Sequence, residues 1–142
     1  MTEAEIQKAV VRCLFPPRVW AVCPNVSWGL LPWEADLLAV SKNERIHEIE
    51  IKTDINDLRR DHLKLKWSAQ FCGKTMKNYI HAYWLAVPVD FLFEAAAMAK
   101  AIGGGVIVCE TKDGIIYARK EIWPKKWSGP TEKNITALEF MG

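Results

Sequence analysis

In the segment RIHEIEIK, Arg45 to Lys52, isoleucines at positions 46, 49 and 51 are interleaved with Glu48, Glu50 and Lys52. A run this rich in β-branched residues predicts a strand, and alternate residues of a strand share one face. Glu48, Glu50 and Lys52 therefore point the same way out of a hydrophobic setting. Unpaired charge in such a setting is expensive, which argues that the arrangement is kept for a use.

The segment just upstream fixes what that strand pairs with. ADLLAVS, Ala35 to Ser41, is apolar on both faces, as expected of a strand near the middle of a covered sheet. SKNE supplies the turn, so the two segments predict a hairpin. Asp36 then lies near the start of one strand, with Glu50 and Lys52 near the end of its antiparallel neighbour. All three meet at one end of the sheet. Glu50 and Lys52 share a face about 7 Å apart along the strand.

Around this hairpin the chain reads as alternating helix and strand. Ile6, Val10, Cys13 and Leu14 recur at helical spacing from Met1 to Phe15, Thr2 and Glu5 fit a capping box, and Pro16–Pro17 ends the run. Arg18 to Ala21 predicts a short strand, followed by a connection through CPNVSWGLLPW. Asp54 or Asn56 can cap a helix over 57–72. Tyr79 to Val87 predicts a strand stopped by Pro88, and Asp90 can cap a helix that ends at Gly103. GGVIVCE and GIIYARK predict a hairpin about Lys112–Asp113–Gly114, and 123–142 reads as an irregular tail. The order, αβββαβαββ, predicts an α/β sandwich around a mixed sheet.

The 142 residues read as a single domain, 1–142, large enough for a real core. Half the residues are hydrophobic and a quarter charged, which places the chain among globular proteins; the net charge of +2 permits nucleic-acid binding without announcing it. Cys13, Cys23, Cys72 and Cys109 form no C-x-x-C pair and no signal peptide is visible, so they are expected as buried thiols in a reducing cytoplasm. No apolar run reaches the length of a membrane span.

Two carboxylates at a sheet end form a hard-oxygen site suited to Mg²⁺ or Mn²⁺. Such an ion polarises a phosphoryl oxygen and lowers the pKa of a bound water. A neighbouring ammonium can orient that water and offset charge developing on the phosphate. Asp36, Glu50 and Lys52 are thus the groups needed to hydrolyse a phosphodiester.

EAEIQKAV near the start, EADLLAV, EIEIK and the later YWLAVP resemble the core of the PD-(D/E)XK nuclease superfamily. Within it, the likeness is to the virus-type replication-repair nucleases and to DNA-repair nuclease-like groups. It spans roughly residues 3 to 120, with a short diagnostic part. Glu34-Ala35-Asp36 stands where the family name leads one to expect Pro-Asp, which leaves the aspartate in place. The resemblance implies a restriction-endonuclease-like three-layer sandwich, its central mixed β-sheet flanked by helices. It implies Asp36 and Glu50 as metal ligands and Lys52 as the catalytic lysine, with the Ile51 carbonyl as a further ligand. Members often add a glutamate from the first helix, and Glu3 fits that place because it falls on the Ile6/Val10 side. DNA in repair, recombination or mobile-element processing is the implied substrate, including branched or single-stranded regions, and a homodimer is the implied assembly for cutting two strands.

Other groups carry bland readings beside functional ones. Glu48, one step further from the sheet end, is expected in a salt bridge or supporting role, and His47, on the opposite strand face, as a structural histidine. His62 and His81 fit no ligand spacing. Arg59, Lys66, Lys74 and Lys77 could meet phosphates or form a solvated helix face. Arg119, Lys120, Lys125 and Lys126 are interleaved with Trp123 and Trp127, and aromatic faces among cations suit single-stranded bases. Trp20, Trp33 and Trp84 are expected in the core. The rival to a nuclease is a non-catalytic nucleic-acid-binding or interaction protein on the same fold.

Overall fold

The structure is a computed structural model and describes residues 1–26, 35–60 and 80–125. Helix α1 spans Glu3–Leu14. It is followed by strands β1 (Ala21–Val26), β2 (Ala35–Val40) and β3 (Ile46–Ile51) and by the short helix α2 (Ile55–Arg59). Strand β4 (Ala82–Pro88) leads through a 3-10 turn (Val89–Phe91) into α3 (Leu92–Ile102), and the hairpin β5 (Gly105–Lys112) and β6 (Ile115–Ile122) follows.

The six strands form one mixed sheet in sequential order, β1 to β6. Strands β1, β2 and β3 are an antiparallel meander, β4 and β5 run parallel to β3, and β6 returns antiparallel. Alternation sorts side chains onto two covered faces. Leu37, Ala39, Ile49, Ile51, Trp84 and Ile107 pack beneath Ile6, Ala9 and Val10 of α1. Leu38, Tyr83, Leu85, Val87, Val106 and Val108 pack on the other side against Leu58 of α2 and Ala95, Met98, Ala99 and Ile102 of α3. Strand β4 lies between two parallel neighbours and is buried along nearly its whole length, as a strand covered on both faces should be. The expected α/β sandwich and element order are present among the described residues.

Local chemistry sets most boundaries. The Thr2 hydroxyl accepts the Glu5 backbone N–H at 3.1 Å, and Glu5 accepts the Thr2 N–H at 3.1 Å, which closes the expected capping box. Asp54 caps α2 by accepting from the backbone N–H groups of Asn56 and Asp57. Gly103 ends α3 in the left-handed conformation at φ 74°. Gly105 is required by close approach: a Cβ there would lie 2.7 Å from the Ile122 carbonyl oxygen and 2.7 Å from the Trp84 ring.

Several expectations need correction. Arg18 to Ala21 is not a strand. The Val19 and Trp20 N–H groups both donate to the Pro16 carbonyl, and the strand begins at Ala21 and runs through Pro24. A proline reads as a breaker, yet β1 is an edge strand, where a missing donor is tolerated. Cys23, on that edge, is exposed rather than buried; among the described residues Cys13 is half-buried and Cys109 alone is fully enclosed. Asp90 does not cap α3. It lies in the 3-10 turn, and the helix begins at Leu92 with no side-chain cap. Trp20 is half-buried, whereas Trp84 is in the core. Most of the helix expected over 57–72, with Cys72, lies outside the described residues, as do Trp33 and all of the expected tail after Lys125.

Candidate functional site

The β2–β3 register sets Leu37 opposite Ile49 and Leu38 opposite Glu48. One further step along the hairpin brings Asp36 beside Glu50 on the face that carries α2 and α3. Asp36 Oδ2 accepts the Ile51 backbone N–H at 2.8 Å, so the aspartate side chain leans across the end of β3. From α1, the Gln7 side-chain amide donates to the Asp36 carbonyl at 3.1 Å. The Lys52 backbone N–H donates to the Ala86 carbonyl at 3.0 Å, extending the β3–β4 ladder by one residue and fixing where the lysine leaves the sheet.

Lys52 Nζ lies 3.6 Å from Glu50 Oε1. Glu48, Glu50 and Lys52 are 0%, 3% and 9% exposed, so the row read from the sequence as sharing one face lies inside the protein rather than on a solvated surface. This decides between a washed charged edge and an enclosed polar cluster in favour of the second. Carrying ions out of water costs several kcal/mol each on the order of magnitude that counts for a small domain. Oppositely charged neighbours offset part of that cost.

Two carboxylates and the Ile51 carbonyl supply the hard oxygen donors that Mg²⁺ or Mn²⁺ prefers, and such ions keep several waters when protein ligands are few. In donor chemistry these three groups are of the kind such an ion takes. Glu3 stands exposed in the first turn of α1, and among the described residues no group of three or more His, Cys, Asp or Glu side chains converges as a metal cluster. Arg59 is half exposed on α2 with a guanidinium nitrogen 3.8 Å from Glu94 of α3, so its charge is shared with a carboxylate. Lys66, Lys74 and Lys77 lie outside the described residues, as do His62, Lys126 and Trp127.

The opposite sheet face, at the other end of β3, holds a cluster that pattern reading found only in part. His47 Nδ1 accepts the Trp84 indole N–H at 3.1 Å, and its ring lies among Phe15, Trp20 and Trp84. It is a structural histidine, as expected. Burial first, then the positive charges of Lys120, His81 and Arg45, lower its pKa from an ordinary 6.5 to about 4. The folded protein therefore holds His47 neutral where the unfolded chain would protonate it. Stability from this group is complete above the unfolded value of 6.5 and is lost as pH falls toward about 4. Urea unfolding at steps from pH 7 to 4.5 should show that loss, and His47→Gln, which does not titrate, should flatten it. Equal slopes in both proteins would refute the assignment. His81 accepts the Ile46 backbone N–H at 3.0 Å and so also has a structural task.

No family model and no curated protein matches the chain. Among solved structures, the chain is similar to the "SPO1766 protein of unknown function" from Silicibacter pomeroyi, with 15% identity, a TM-score of 0.62, and coverage of 99% of this chain and 83% of that one. At that identity the likeness shows the fold alone: an α/β arrangement shared along nearly the whole length of this chain.

Proposed function

We propose that the protein is a divalent-metal-dependent DNA nuclease of the PD-(D/E)XK type on a restriction-endonuclease-like fold. The observation that carries this reading is the placement of half-buried Asp36 opposite buried Glu50 by the strand register at one end of the β2–β3 hairpin, with Lys52 3.6 Å from Glu50. A hydrophobic core has no structural need for a row of ionisable groups at a sheet end, and apolar residues of similar volume would pack there at no greater cost. The helix–strand–hairpin–helix order around them supports the family resemblance.

In this reading Asp36 and Glu50 would hold Mg²⁺ or Mn²⁺, with the Ile51 carbonyl and Glu3 as further ligands. When bound, the ion supplies Lewis-acid polarisation of the scissile phosphate and a more acidic water. Lys52 orients the attacking water and stabilises the negative charge that grows on the phosphate oxygens. The Ile51 N–H and the Gln7 amide keep Asp36 in place through its carboxylate and its carbonyl. DNA of repair, recombination or mobile-element processing is the substrate class, in a cytoplasmic setting, with two copies acting where two strands are cut.

A calorimetric titration tests the ion site directly. Mn²⁺ added to the purified protein should bind, and Asp36→Asn should weaken that binding by about tenfold or more while the circular dichroism spectrum stays the same. Identical heats for both proteins would sink the proposal. One observation favours a second reading: Glu50 and Lys52 neutralise each other inside the protein, as they would in a catalytically silent nucleic-acid-binding relative. That reading predicts no ion binding in the same titration.

A further inference from the structure

The strongest unassigned feature is at the far end of β3 from Lys52, on the sheet face covered by α1. His47 starts this end, and five residues of strand set it about 16 Å from Lys52. Lys120 of β6 places its ammonium 5.4 Å from the Phe15 ring centroid, 5.3 Å from that of Trp84 and 4.9 Å from that of Trp123. Phe15 and Trp84 are buried, but Trp123 is 67% exposed. Its ring meets Trp84 edge-on at 6.0 Å, so the indole is braced from below and open from above.

The carboxylates near this indole, Glu110 and Glu121, are engaged by Arg119. Among the described residues no carboxylate forms an ion pair with Lys120. Lys125, two residues past Trp123, is exposed, and Arg45 and Lys120 both act on His47 as positive charges. Burial lowers the Lys120 pKa. A half-buried ammonium with no counter-ion among the described residues, beneath an exposed flat ring, matches a ligand that carries an anion and an aromatic plane together. Phosphate linked to base has that form, and stacking on an exposed indole needs the base to be unpaired.

We infer that Trp123, with Lys120 and Lys125, forms a binding surface for single-stranded nucleic acid, the indole stacking a base and the two ammonium groups meeting the flanking phosphates. This surface does not rest on the metal-site reading. It lies on the other face of the sheet and needs no ion, so it can hold whether or not Asp36, Glu50 and Lys52 cut anything.

The test uses the full chain in EDTA with fluorescently labelled oligothymidylate and oligouridylate about ten nucleotides long. Either oligonucleotide should bind and quench tryptophan fluorescence. Trp123→Ala should weaken binding by about tenfold, and Trp123→Phe should recover most of that loss, which a mere change of surface charge would not do. Lys120→Gln should reduce the slope of log K against log salt by about 0.7, the value for one lost phosphate contact on a single strand. Asp36→Asn should leave all of this unchanged, separating failure here from failure at the metal site. Absence of binding, binding of duplex alone, or equal affinity in Trp123→Ala would overturn the inference.

Discussion

Replacing Lys52 with methionine is expected to lower Mg²⁺-dependent DNA cleavage by about 10²–10³-fold, the usual loss when one charge-stabilising group is taken from a reacting centre. The loss should fall on kcat rather than KM, because the proposed role of the ammonium grows with charge developing in the transition state. Ion binding should move the other way. The ammonium 3.6 Å from Glu50 competes with any metal for that carboxylate, so Mn²⁺ affinity should stay the same or rise. Methionine is chosen over alanine because Lys52 is only 9% exposed, and its stem is packed against neighbours that a smaller residue would leave uncovered. Loss of the positive partner beside a nearly buried glutamate will itself reduce stability. Cleavage is therefore compared at a temperature where circular dichroism shows the variant folded. Metal-dependent cleavage within about threefold of the unmodified protein would remove Lys52 from the mechanism.

Trp84→Ala should be the most damaging single change to stability, about 3–5 kcal/mol by the usual cost of truncating a buried aromatic. Trp84 is 1% exposed in the centre of β4 and packs in the core under α1. Its indole N–H donates to His47, and its ring shares the Lys120 ammonium with Phe15 and Trp123. Alanine would leave a cavity, an unpaired imidazole nitrogen and a cation stripped of one of its ring faces. A domain of this size has about 5–15 kcal/mol in hand, so urea midpoints should shift far toward zero. Trp84→Phe should recover part of the packing without the hydrogen bond. A shift of less than about 1 kcal/mol on Trp84→Ala would mean that the centre of the sheet is not packed as described.

The fold was legible where local chemistry and periodicity agree. Thr2 and Glu5 close the capping box, Gly103 stops α3, and Asp113–Gly114 turns the last hairpin, all as their residue types dictate. The hairpin that sets Asp36 beside Glu50 was legible as well, because a turn of polar residues between two apolar runs leaves few registers that bury both. Reading failed at β1 because the edge position that tolerates Pro24 is a property of the assembled sheet. It failed at Asp90 because a 3-10 turn placed the residue one step too early to serve α3.

What the sequence by itself determined is the alternation of helices and strands and the sharing of one strand face by Glu48, Glu50 and Lys52, since both follow from the geometry of a few consecutive residues. Only the tertiary structure decided that this row is enclosed, that Gln7 reaches Asp36 from α1, and that Lys120 lies among rings from Phe15, Trp84 and Trp123. Burial and cation–ring contacts depend on which segments become neighbours across a hundred residues of chain, and no short window of sequence carries that information.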